Sequence, residues 1–294
     1  MSTSDRQQVN QISQQFEEVW AALDALFANM TTADWQQPHG PDWVFAELPY
    51  HLAYIDHDLV IHPVTAGADL PEAEQLSLGS LGALNKWNQE KLRERPDNLP
   101  ISAAITQMEA SRQKLRHLLA GMTDADLMRP AWFALLGDRG FRPAMGAILF
   151  GLIHTWGHYE EARIRRGIAE STMSPETLLA MIGLSIPVLA IFYDAQKAAE
   201  LDFSFGFALS GRSSGSWLFQ AKDGEWHITE SALDKANLVL TCTVNGYVQM
   251  RYGMTGVPEL MSGGNIKPSD MLGLATWGQL LAMPAEDYVF PAKP

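Results

Sequence analysis

Near residue 172 the spacing of apolar residues changes from a helical period to a strand period, and this break sets what the chain can fold into. Upstream, Phe16, Trp20, Leu23, Phe27 and Met30 recur at intervals of 4-3-4-3, the single stripe of a bundle helix. A second helix is expected just after Asp42, which caps it, and runs through VFAELPYHLAYIDHDLV. Pro49 fits that helix only in its first turn, where its missing N–H is not needed. A shorter helix follows at LGALNKWNQEKLRER. A third long helix covers 101–121, with the stripe Ile101, Ile105, Met108, Arg112, Leu115 and Leu119. The Gly- and Arg-rich loop GDRGFRP leads to a fourth, AMGAILFGLIHTWGHYEEARIRR, ended by Gly167.

Downstream of 172 a helix over 175–199 precedes the alternation Leu201, Phe203, Phe205, Phe207, Leu209, the period of a strand with one buried face. Asp223-Gly224 is a hairpin signal. LVLTCTV reads as another strand, and the tail turns helical again. The expected architecture is a four-helix bundle over residues 1–172, followed by a smaller α+β domain with an antiparallel sheet over 173–294.

Composition narrows the function. The 294 residues are 47% apolar and carry a net charge of −13, with more acidic than basic residues on both sides of residue 172. That field opposes nucleic acid and anionic membrane surfaces as partners. The single cysteine, Cys242, excludes an internal disulfide and any multi-cysteine zinc site, so metal binding must use His, Asp or Glu. The N-terminus has no apolar core of a secretory signal. The longest apolar run, residues 178–193, has sixteen residues and contains Ser185 and Pro187. It falls short of the ~20 residues of a membrane span and reads as a buried helix broken near Pro187. A cytoplasmic location is expected.

The histidines carry the chemistry. His154 and His158 stand at i, i+4 on the fourth helix and project from one face, a spacing that suits two imidazoles on one metal ion. His51, on the second helix, can converge on them in an antiparallel bundle. Three neutral imidazoles with an open position describe a catalytic ion, not a closed structural site. The same residues also read as surface or core histidines with no ion. Glu161 and Asp58 are candidates to orient an imidazole, and equally read as solvated helix carboxylates. Arg112 interrupts an apolar stripe, as a partner for a substrate carboxylate or as a side chain snorkelling from the bundle edge. His39, His57, His62 and His117 read as solvated.

Two segments add a resemblance. DWQQPHGPDWVFAELPYHLAYID is similar to the second-helix signature of the DinB-like four-helix bundles, in which a Trp precedes a helix carrying His and then Leu-Ala. GLIHTWGHYEEARIRRG resembles that family's fourth-helix signature, HxxxH followed by Ile-Arg and a terminal Gly. The resemblance covers about residues 5–170 and implies that His51, His154 and His158 match the metal triad, with zinc or nickel as the divalent ion. It also implies the chemistry of the mycothiol-dependent maleylpyruvate isomerases and bacillithiol transferases, in which the ion activates a low-molecular-weight thiol.

The segment ANLVLTCTVNGYVQMRYGMTGVPELMSGGNIKPSDMLGLATWGQLL resembles the sterol-carrier-protein fold over about 180–285, with Ser262-Gly263 and Asp270 at matching turns and Ser269 where that family has Gly. That likeness implies an apolar cavity, for which Met250, Met254, Met261, Met271 and Met283 would suit the lining. Two functions follow as expectations. One is a divalent-metal-dependent transferase or isomerase that uses a small thiol on a small-molecule substrate. The other is a carrier or sensor of an apolar small molecule through the C-terminal domain, with the bundle as scaffold or as the surface of a homodimer.

Overall fold

The apolar stripe of the first helix forms as its spacing dictates. In the computed structural model, which describes residues 3–39, 43–135 and 140–281, helix α1 (Gln7–Ala28) buries Phe16, Trp20, Leu23 and Phe27. The Asp124 carboxylate accepts from the backbone N–H groups of Gln8 and Val9, at 3.1 and 2.9 Å, and so satisfies donors of the first turn. A short helix, α2 (Thr32–Trp35), starts at a capping box between Thr31 and Asp34.

The second long helix differs from its expected form. Residues 40–42, including the expected cap Asp42, lie outside the described residues. The α-helix begins at Leu48, after a 3-10 turn over Phe45–Glu47, because Pro49 must sit in the first turn. Helix α3 (Leu48–Ile55) buries seven of its residues: Leu48, Pro49, His51, Leu52, Ala53, Tyr54 and Ile55. It then widens into a π-helical segment, Asp56–Ile61, and continues as α4 (His62–Ala66).

Helices α5 (Leu81–Arg93) and α6 (Ile101–Gly121) pack against α3. Two short strands, β1 (Pro130–Trp132) and β2 (Phe141–Pro143), pair antiparallel in front of α7 (Ala144–Arg165). This ribbon was not expected; its connection, residues 136–139 of the Gly- and Arg-rich loop, lies outside the described residues. Gly167, at φ +70°, adopts the left-handed conformation after α7 that ends a helix at glycine. Trp20, Met108, Leu115, Ile148, Leu152 and Trp156 are buried at 1% exposure or less.

The described chain forms two compact units, the first reaching Ala162 and the second beginning at Arg163. In the second, α8 (Pro175–Leu189) is capped by Ser174, whose hydroxyl accepts from Thr177 N–H at 3.2 Å. The single helix expected over 175–199 divides: a 3-10 turn over Ala190–Phe192 and extended Tyr193 separate α8 from α9 (Ala195–Glu200). The break falls past Pro187 because Asp194 caps a new helix, accepting from Lys197 N–H at 2.9 Å. By length and composition, Pro175–Phe192 is apolar enough to cross a membrane, and 39% of it is buried here.

A five-stranded sheet follows, built from β3 (Ser204–Ser210), β4 (Ser216–Lys222), β5 (Glu225–Glu230), β6 (Leu238–Thr243) and β7 (Ile266–Pro268). The order is β5-β4-β3-β6-β7, antiparallel throughout except for the parallel pair β3 and β6. Asp223 and Gly224, at φ +54° and +77°, form the β4–β5 turn, the primed geometry that favours this dipeptide. Strand β3 buries Phe205, Phe207 and Leu209 on one face. Phe205 stacks on Phe219 with centroids 4.7 Å apart. Helices α10 (Val244–Arg251), α11 (Val257–Ser262) and α12 (Met271–Leu280) complete the unit, and the Asp270 carboxylate caps α12 at Gly273 N–H. Cys242 is fully buried, and burial pushes its thiol up to about 12.

Candidate metal centre

Three imidazoles meet between α3 and α7. The i, i+4 spacing sets His154 and His158 on one face of α7, and His51 reaches them from α3. His51 Nε2 stands 3.2 Å from Nε2 of His154 and 3.2 Å from Nε2 of His158. All three ligand atoms lie within 4.8 Å of one another. Two nitrogens on one tetrahedral zinc, each bonded at about 2.0–2.1 Å, are separated by about 3.3 Å, so the donor spacing fits a cation of this class.

The surroundings keep His51 and His158 neutral. His51 is 4% exposed, and its pKa is held well below 6.5, first by burial and then by the neighbouring imidazoles His158, His154 and His39. Burial lowers His158 to about 4. Neutral imidazole is the ligating form. Each ring meets aromatic walls: Trp43 lies 4.9 Å from His51 and 5.5 Å from His158 by centroid, and Phe150 lies 5.5 Å from His154. His154 and His158 are partly buried by residue, and His51 is buried.

One further partner fixes His51. Tyr54, one helical turn on, places its hydroxyl 2.6 Å from His51 Nδ1 and donates to Asn88 Oδ1 at 3.3 Å. With that proton committed to Asn88, the phenol oxygen accepts from His51 Nδ1–H, and the Nε2 lone pair faces the other two histidines. Burial raises the Tyr54 phenol well above its ordinary value, so it stays protonated.

The other expected site residues fall in different places. Glu161 lies on the histidine face of α7, its Oε2 3.9 Å from His39 Nε2. Asp58 sits in the π-helical segment and is engaged by Lys91 Nζ at 3.2 Å and His57 Nδ1 at 2.7 Å, a partner set that excludes the three histidines. Arg112 neither snorkels nor opens to a ligand. It is 1% exposed, with Nη1 2.6 Å from Asp24 Oδ1 on α1 and its guanidinium 5.7 Å from the centre of the Trp20 ring.

Two residues at the site have no such role among the sequence expectations, Tyr54 and His39. Expected in solvent beside a turn, His39 is fully buried, with Nε2 3.0 Å from His158 Nδ1. A bridge between Pro38 and Val44 closes that turn, and His39 N–H donates to Trp43 C=O at 3.0 Å, which carries the ring inward. Its only signal in the sequence is the pair of tryptophans, Trp35 and Trp43, flanking a polar turn.

In the second unit, an open cleft of about 370 Å³ is lined by polar groups including Asp202, Ser204, Gln220, Lys222, Lys235 and Asn237. Met271, expected to line an apolar cavity, is 62% exposed on α12, because it occupies the helix's first, outward position. Met283 lies outside the described residues.

Comparison with known proteins bears on the fold and the family. The chain is similar to the crystal structure of a substituted variant of the mycothiol-dependent maleylpyruvate isomerase: TM-score 0.50 and 11% identity, over 89% of this chain and 92% of that one. The unsubstituted isomerase gives a TM-score of 0.49 and 13% identity over the same shares. The sterol carrier protein domain 2 of Helicoverpa armigera matches 32% of this chain and 82% of its own, with a TM-score of 0.26 and 18% identity. At these identities the likeness to the isomerase variant is one of fold. No curated protein sequence matches the chain. The DinB superfamily profile matches residues 15–162, half of the chain, a span that holds His39, His51, His154, His158 and Glu161. The chain belongs to the DinB superfamily.

Proposed function

We propose that this protein is a divalent-metal-dependent enzyme that uses a low-molecular-weight thiol, as a transferase or an isomerase. The observation that carries the reading is the convergence of His51, His154 and His158 through their Nε2 atoms, at 3.2 Å from His51 to each of the others. These three would hold the ion, zinc or nickel by the imidazole donor set. When bound, the ion lowers the pKa of a thiol or water and so supplies a nucleophile at neutral pH. The bundle of residues 1–172 would carry this site.

The protein's own residues prepare that chemistry. Tyr54 holds the tautomer of His51, and the low pKa values of His51 and His158 keep lone pairs available. Trp43 and Phe150 form an apolar wall that limits water beside the donors. Support for the thiol comes from the fold shared with the mycothiol-dependent isomerase, and it is an analogy at the level of fold.

Two measurements test the proposal. Elemental analysis of the purified full-length protein after zinc or nickel loading is expected to give one ion per chain, and none in a His154→Ala, His158→Ala variant. Equal metal in both would remove the triad from the account. The loaded protein, screened with mycothiol and other small thiols against electrophilic acceptors, is expected to consume thiol or isomerise an alkene in a metal-dependent way. Metal-independent turnover would reject the mechanism.

A further inference from the structure

His158 makes a contact with each of its two ring nitrogens. Nε2 faces His51, and Nδ1 stands 3.0 Å from Nε2 of His39. A neutral imidazole carries one ring proton, so the two contacts constrain each other. If Nε2 of His158 offers its lone pair to an ion, the proton lies on Nδ1 and the His39 nitrogen must accept it. His39 is built for that role. It is fully buried, its ring set between Trp43 at 4.9 Å and Phe45 at 4.7 Å by centroid, and its backbone N–H donates to Trp43 C=O, which fixes the main chain beneath the ring. Glu161 Oε2 lies 3.9 Å from the same His39 nitrogen, longer than a hydrogen bond.

We propose that His39 is a positioning residue of the metal centre, accepting the Nδ1–H of His158 and thereby locking His158 in the tautomer whose Nε2 faces the ion. This rests on the metal-dependent reading above. It extends that reading to a residue outside the triad, from a turn far from α7 in sequence, and it makes the centre symmetrical in logic. Tyr54 holds His51 from behind, and His39 holds His158 from behind. Partners of this kind change metal affinity by about 10–100-fold when removed.

The alternative use of the same atoms is direct ligation, because His39, His158 and Glu161 also present three donors within 4.8 Å of one another. Ligation would need His158 to bridge two ions and would bring a second equivalent of metal. The 3.0 Å separation of the two nitrogens is a hydrogen-bond distance and favours the tautomer lock.

The experiment uses the full-length protein with zinc, or with cobalt as a spectroscopic probe. Expected results are one zinc per chain in wild type and a 10–100-fold weaker zinc affinity in His39→Phe. The cobalt d–d spectrum should change in that variant. His39→Gln, whose amide oxygen restores an acceptor, is expected to recover affinity to within about threefold. Should His39→Phe fail to fold, ¹⁵N NMR of histidine-labelled, zinc-loaded wild type decides alone. His158 is expected to show a protonated Nδ1 and a zinc-shifted Nε2. The proposal is overturned by an unprotonated or zinc-bound Nδ1 on His158, by two zinc ions per chain with one lost in His39→Gln, or by an unchanged affinity and spectrum in His39→Phe. If wild type binds no zinc, the metal reading fails and this proposal falls with it. If wild type binds zinc and His39→Phe binds it equally, this proposal alone fails.

Discussion

The Tyr54 hydroxyl lies 2.6 Å from Nδ1 of His51, on the side of the imidazole opposite the other two histidines. This contact costs the bundle a buried phenol that Asn88 must satisfy, and in return fixes which nitrogen of His51 is free. Tyr54→Phe keeps the ring packed against Trp87, 5.4 Å away by centroid, and removes only the oxygen. Zinc affinity measured by competition with a chelator is expected to fall by about 10–100-fold, with the thermal transition of the metal-free protein little changed. Unchanged affinity would show that His51 needs no partner.

Proton competition sets a second expectation. Because burial holds His158 near 4 and His51 well below 6.5, protons do not compete for these lone pairs until the pH is well below that of free imidazole. Zinc affinity measured against pH is expected to be flat from about 7.5 to 6.5 and to fall only at more acid pH. A tenfold loss for each pH unit between 7.5 and 6.5 would mean that the triad titrates like solvated histidine.

Asp56 carries a pH dependence of stability with the opposite sign. It is 1% exposed at the start of the π-helical segment, its Oδ1 makes no hydrogen bond among the described residues, and burial raises it to about 7 despite the nearby Arg112. The folded state therefore binds this proton more tightly than the unfolded chain, whose carboxyl titrates near 3.8. Stability from this group is full below about 3.8 and is lost as the pH rises towards about 7. Asp56→Asn is expected to match wild type near pH 4 and to exceed it at pH 8, by an upper bound of about 4 kcal/mol. Urea unfolding at the two pH values checks this; equal stability at pH 8 would contradict it.

Arg112 is a structural residue on this account, not a substrate clamp. Its guanidinium is buried against Trp20, and Asp24, half-exposed, closes the pair. Arg112→Met keeps much of the packing volume and is expected to cost about 1–3 kcal/mol in urea unfolding, with zinc content unchanged. A loss of thiol-dependent activity at constant stability and metal content would return Arg112 to the site.

The sequence made the framework legible through period. The stripe from Phe16 to Phe27, the helix over 101–121, the Gly167 stop and the Asp223-Gly224 turn all formed as spacing and local chemistry required. Local rules also explain two departures, since Pro49 delays α3 and Asp194 begins α9. The pair His154 and His158 was legible because both share a helix face, and His51 was supported by the resemblance to the DinB-like second-helix signature; the structure brings the three together. His39 and Tyr54 were not legible. His39 gains its place from a turn closed by the Pro38–Val44 bridge, and Tyr54 from the orientation of a helix buried on nearly every side, where no polar face marks a preferred direction. The parallel pairing of β3 with β6 was hidden as well, because register across a long connection leaves no trace in the alternation of either strand.

The claim on which the rest depends is that His51, His154 and His158 hold one divalent ion. Anomalous diffraction at the zinc edge, from crystals of the zinc-loaded protein, addresses it most directly. A single strong peak is expected about 2.0–2.1 Å from the Nε2 atoms of all three histidines, absent in the His154→Ala, His158→Ala variant. A peak elsewhere, or none near these nitrogens in fully loaded crystals, would contradict it.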